Sequence, residues 1–117
     1  MKISIQGTNL ELSDALKLYV DEKVGHLEQF ITDVLEARVE LERDAHHHKG
    51  PVYRCEVNLD VPRKHILRAD CTEADLYAAI DGVVPKLKHQ IDKYKEQQKG
   101  RDQKLRRSFK SIFPWFK

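Results

Sequence analysis

Between residues 35 and 71 the chain alternates apolar and polar positions in three separate runs. Leu35, Ala37, Val39 and Leu41 interleave with Glu36, Arg38, Glu40 and Glu42. Tyr53, Cys55, Val57, Leu59 and Val61 interleave with Arg54, Glu56, Asn58 and Asp60, and Leu67, Ala69 and Cys71 alternate within His65–Cys71. A period of two makes each run a strand with one buried and one wet face. The connections, a polar loop from Asp44 to Gly50 and the tight Pro62-Arg63-Lys64, are too short for crossovers. Consecutive strands must therefore pair antiparallel, and their shared apolar face needs a cover.

Two amphipathic stretches can supply that cover. Leu16, Val20, Val24, Leu27 and Ile31 recur at helical spacing, with Ser13 placed to cap the helix, Asp14 in its first turn and an end near Phe30. Gly25 inside it suggests close packing at that point. The second stretch runs from Thr72, read as its N-cap, to Lys99, with a seam at Leu76, Ile80, Val83, Leu87, Ile91 and Tyr94. Pro85, preceded by Gly82, predicts a bend near residues 81–85, and the helix is expected to fade by Gly100. At the front, Lys2–Gln6 alternates and reads as a short strand stopped at Gly7, not as a secretory leader. The order strand, helix, three strands, helix predicts an α+β fold, β-α-β-β-β-α, with both helices on one face of a four-stranded sheet. Residues 1–99 form the expected domain; residues 100–117, basic and then aromatic, are expected to be a flexible tail.

Charge is distributed unevenly along the chain. Residues 1–61 hold 7 Lys and Arg against 12 Asp and Glu, a balance of −5, whereas residues 62–117 hold 14 against 7, a balance of +7. A chain so divided suits a basic surface that docks on polyanions. No apolar run approaches the roughly 18 residues of a membrane span, so no membrane partner is expected. Cys55 and Cys71, far apart in alternating patterns, read as buried free thiols of a reducing cytosol.

Chemistry is hard to assemble from these residues. The chain has no Gly-rich phosphate loop, no GxSxG, no HExxH and no Cys/His pair in a recognisable local context. No catalytic residue, cofactor or small-molecule substrate is assigned. His46, His47 and His48 are metal-capable side chains, but three neighbours in a short loop splay apart and define no ligand geometry. The outward strand positions Arg38, Glu40, Arg54, Glu56 and Asn58 offer no ring on which a base could stack.

The helices remain. At about 100° per residue, Lys86, His89 and Lys93 share one stripe beside the apolar seam, while Lys88, Lys95 and Lys99 share the opposite flank. Lys23 and His26 lie one turn apart on the first helix, near Phe30. Two helices on one sheet could bring these stripes into a single basic groove that contacts phosphates and reads shape rather than base sequence. Spacing alone leaves open an ordinary solvated lysine face.

Two segments carry a family resemblance. IQGTNLELSDALKLYVDEKVGHLEQF and ADCTEADLYAAIDGVVPKLKHQIDKYK, the latter with its DLYAAIDG core, resemble the first and second helical regions of the bacterial ribosome hibernation promoting factors and related ribosome-associated inhibitors. The likeness covers about residues 1–99. It implies a cytoplasmic protein that silences translation in stationary phase or stress by occupying the mRNA and tRNA path of the small ribosomal subunit. It also implies a fold like that of the double-stranded RNA-binding domain. The family's basic positions fall here on Lys23, His26, Lys86, His89 and Lys93, with Arg63, Lys64, Lys88, Lys95 and Arg101 as secondary candidates. The resemblance is to the short form, without the added domain by which long members pair ribosomes and without an acidic tail, and leans to the hibernation-promoting branch. A monomer contacting rRNA phosphates is expected. A general double-stranded nucleic-acid binder and a protein-interaction module built on the tail, Phe109 to Phe116, are the alternatives.

Overall fold

The three alternating runs form the expected meander. In the computed structural model, which describes residues 1–46 and 48–112, with side chains as far as residue 100 and at Lys104, β2 (Glu36–Asp44) pairs antiparallel with β3 (Val52–Val61), and β3 with β4 (His65–Glu73). Strand β1 (Lys2–Thr8) adds to the outer side of β2 in parallel, giving the order β1-β2-β3-β4. A parallel pair requires a crossover, which α1 (Asp14–Gly25) and the 3-10 turn His26–Gln29 provide. Helix α2 (Leu76–Ile112) closes the order and lies over β3 and β4.

The apolar parity of every strand meets the helices. Ala37, Val39, Leu41, Cys55, Val57 and Leu59 are buried from the sheet, Leu16, Val20, Val24 and Leu27 from α1 and its 3-10 turn, and Ile80, Val83, Leu87 and Ile91 from α2. Both helices therefore share one core on one sheet face. Ser13 caps α1 as expected, its Oγ accepting from the Leu16 N–H at 3.1 Å.

Several boundaries differ from expectation. Strand β1 does not stop at Gly7 but continues to Thr8, because Gly7 pairs with Leu41 while the returning chain passes close by. A Cβ there would stand 3.0 Å from the Leu10 carbonyl oxygen. Gly25, expected to mark close packing, meets only Ile3 Cδ1 at 4.0 Å, and it sits where α1 tightens into the 3-10 turn. Leu35 is 67% exposed, with Val34 buried in its stead, because regular pairing with β1 starts only at Glu36. Thr72 is not the α2 cap. The β3–β4 ladder carries it along as the partner of Arg54, and Asp75 takes the cap, Oδ2 accepting from the Ala78 N–H at 3.1 Å.

Helix α2 also departs from expectation at its end. Its α-helical run passes Pro85, where a bend is expected, without a break. Pro85 is exposed, so its ring faces solvent and the forfeited backbone bond lies on the outer side of the helix. Beyond Gly100, the expected end, the helix continues to Ile112. The aromatic end of the tail from residue 113 onward lies outside the described residues.

A candidate nucleic-acid interface on two flanks of one helix

Helices α1 and α2 run in the same direction with a constant register. The Tyr19 and Tyr77 rings meet edge to face at 4.8 Å, and the Tyr19 hydroxyl donates to Asp81 Oδ1 at 2.5 Å. One turn or two further on, His26 lines a hollow with Val84 and Pro85; beyond that, Lys88 Nζ stands 4.9 Å over the Phe30 ring. The seam of α2 is consumed by the core, which leaves two flanks for polar side chains.

The inter-helix flank holds Lys23 and His26 together, in a hollow that also includes Glu22 and Asp81. Lys23 Nζ lies 5.4 Å from the Tyr19 ring centroid, within cation–π range. Further along the same flank Lys88 pairs with Asp92 at 3.0 Å, and Lys95 and Lys99 border a hollow shared with Phe30, Asp33 and Tyr94.

The opposite flank leans over β4. Lys86 Nζ donates to the Asp70 carbonyl at 3.0 Å, and Lys86 and His89 line a hollow with Arg68, Asp70 and Gln90. Lys93 is exposed two turns beyond Lys86. Pro85 borders both hollows. The five principal candidates are thus two groups on either side of a shared ridge, Lys23 with His26 and Lys86 with His89 and Lys93, instead of one groove. Helical phase could separate stripes on α2, but the side on which α1 docks depends on packing.

Arg63 and Lys64 occupy the β3–β4 turn, both in the left-handed region at φ of 68° and 58°. The turn lies at the Tyr94 end of the sheet, where the His65 and Tyr94 rings are 5.9 Å apart. Burial, with the Asp33 carboxylate, pushes the Tyr94 phenol above its ordinary range, and the Arg63 charge opposes them. The side chain of Arg101 lies outside the described residues. Arg68, beside Lys86, escapes a reading of the sequence because strand alternation marks it only as a wet sheet position.

On the open sheet face Arg38, Arg54 and Arg68 each pair with a carboxylate. Arg54 pairs with Glu56 at 2.8 Å and Asp70 at 3.1 Å, Arg68 with Glu56 at 2.8 Å, and Arg38 with Asp60 at 2.7 Å. Burial works to raise the Glu56 pKa, but the Asn58 amide and the Arg54 and Arg68 guanidinium groups outweigh it and hold it below the usual carboxylate range. Cys55 and Cys71 face each other across β3 and β4 as free thiols, and burial pushes Cys55 up to about 12. His46 N–H donates to Asp44, while His47 lies outside the described residues; among the described residues no cluster of His, Cys, Asp or Glu is arranged to hold a metal. No helix among them is long and apolar enough to cross a membrane.

Residues 3–99 match the family described as Sigma 54 modulation protein / S30EA ribosomal protein. The chain belongs to this family. It is 36% identical over 96 residues to the ribosome hibernation promotion factor of Lactococcus lactis subsp. cremoris (strain MG1363), covering 81% of this chain and 50% of that relative. It is 33% identical over 105 residues to the ribosome hibernation promotion factor of Staphylococcus aureus (strain COL), covering 87% and 53%. The chain thus spans about half the length of these curated relatives. Its fold is similar to the Thermus thermophilus Protein Y N-terminal domain, with a TM-score of 0.67, 34% identity, and coverage of 80% of this chain and 99% of that one. A ribosomal subunit interface protein from Coxiella burnetii shares the fold at a TM-score of 0.72 and 20% identity, over 82% and 99% of the two chains.

Proposed function

We propose that this protein is a non-enzymatic, cytoplasmic silencer of translation that binds the small ribosomal subunit as a monomer. Residues 1–99 form the binding domain and residues 100–117 an extension. Lys86 and Lys93 on one flank of α2, and Lys23 on the other, neutralise rRNA phosphates, with His26 and His89 completing the two groups and Arg63, Lys64, Lys88, Lys95 and Arg101 adding to them. The bound domain fills the path of mRNA and tRNA, so initiation stops by occlusion during stationary phase or stress. Membership of the family across residues 3–99 carries this reading. The arrangement of charge supports it: the arginines of the sheet face are paired with carboxylates, whereas the helices carry lysines on two flanks.

Recognition of this kind reads the shape of folded RNA, because phosphate contacts position a protein without reporting base sequence. The relatives named ribosome hibernation promotion factor favour the hibernation-promoting branch. Sucrose-gradient sedimentation with purified small subunits tests the reading. The protein is expected to co-sediment with empty subunits and to be displaced when mRNA and initiator tRNA are bound first. Absence from the subunit peak would refute ribosome binding, and simultaneous occupancy with both RNAs would refute occlusion. Gradients of stationary-phase lysate with and without the protein report whether ribosomes pair.

A further inference from the structure

The molecule is elongated because α2 outruns the body it helps to build. Its extents are 66 × 29 × 20 Å and its radius of gyration is 18.6 Å, against about 13 Å for a compact chain of this length. Thirty-seven helical residues span about 55 Å, whereas the ten residues of β3 span about 33 Å. Among the side chains of α2 that are described, Tyr94 is the last buried in the core, and Lys99 still borders the hollow beside Phe30 and Ile31. From Gly100 to Ile112 the helix projects as an arm of about 20 Å.

The arm continues a charged flank of the body. Lys104 is exposed, and it follows Lys86 by 18 residues, five whole turns, so the two lie at the same angle about the axis. Lys93 falls within about 20° of both. The sequence of the arm holds Arg101, Lys104, Arg106, Arg107 and Lys110 against the single acid Asp102. A helix can hold Lys86 and Lys104 about 27 Å apart as a fixed ruler, whereas a flexible tail of the same charge could not.

The geometry points to the arm as a second RNA-contact element. Lys104 engages a backbone phosphate in register with those met by Lys86 and Lys93, beyond the footprint of residues 1–99. The committed partner is an RNA backbone, because the flank that the arm continues is the one assigned to rRNA phosphates. This inference rests on the ribosome-binding reading above and extends its surface.

The test is a salt titration of the affinity of the full chain for purified small subunits. Neutralising one phosphate contact lowers the slope of log K against log salt by about one unit. Lys104→Ala is expected to do so, while Lys17→Ala, an equal loss of charge on the exposed side of α1, is expected to leave the slope unchanged. Inserting two alanines after Gly100 keeps every charge but turns Lys104 by about 200°. It is expected to weaken binding as much as Lys104→Ala does. An unchanged slope for Lys104→Ala, an equal effect of Lys17→Ala, or full affinity after the insertion would overturn the inference. So would a defect confined to vesicles of anionic phospholipid. If Lys86→Glu with Lys93→Glu abolishes binding and the arm variants do not, the arm alone fails; if the unaltered chain does not bind, the ribosome reading itself fails.

Discussion

Cys71 Sγ stands 2.5 Å from the point where a Cβ on residue 82 would lie. Gly82 therefore lets α2 settle on β4, and the thiol fills the hollow that the missing side chain leaves. Gly82→Ala gains about 1 kcal/mol of helix propensity but forces a well-packed contact apart, an overpacking that typically costs about 1–3 kcal/mol. The variant is expected to be less stable in urea denaturation. Adding Cys71→Ala makes room and should restore much of the loss. A Gly82→Ala chain as stable as the parent would show that the contact relaxes freely.

Tyr19 ties the two helices together through Asp81. The hydrogen bond to Asp81, then burial, then the Asp81 charge push the Tyr19 phenol from its ordinary 10 up to about 12. The fold thus favours the protonated phenol, which alone can donate. Its contribution is complete below pH 10 and is lost as the pH rises through 12. Absorbance at 295 nm should show a tyrosine component titrating near 12 that disappears in Tyr19→Phe. Identical titration curves for the two proteins would rule out the assignment.

Asp75, and not Thr72, satisfies the first turn of α2. Asp75→Ala is expected to cost about 1 kcal/mol, the usual value of a lost N-cap. Thr72→Val keeps a β-branched residue in the β4 ladder and should change stability by less than about 0.5 kcal/mol. Thermal unfolding of the two variants ranks them directly, and the reverse order would restore the cap to Thr72.

Lys86 and Lys93 are surface residues whose reversal leaves the core untouched. The double variant Lys86→Glu with Lys93→Glu is expected to unfold as the parent does and to lose co-sedimentation with small subunits. Reversing phosphate contacts removes both the attraction and the counterion release that drives binding. Parent-like sedimentation would move the interface to the other flank, where Lys23→Glu becomes the informative change.

Much of this fold follows from periodicity. Alternation over residues 36–42 and 53–61, the helical seam from Leu76 to Tyr94 and the Ser13 cap are local patterns, and local backbone geometry imposes them wherever the chain lies. Short connections settle the antiparallel meander for the same reason. Helical phase also groups Lys86 with His89 and Lys93, since 3.6 residues per turn is a property of α2 alone.

Packing determined what phase could not. Docking of α1 beside Asp81, Pro85 and Lys88 set Lys23 and His26 across the ridge from Lys86, and no spacing along either helix encodes which neighbour a flank will meet. The β3–β4 ladder drew Thr72 into a strand and passed the cap to Asp75, because cross-strand hydrogen bonds outweighed a local capping signal. Gly82 reads in sequence as a weak point beside Pro85; in the fold it is a contact, made so by a cysteine 11 positions earlier on a different element. The basic groups were legible as residues. Their division between two flanks of a single long helix arose only when that helix was laid on the sheet.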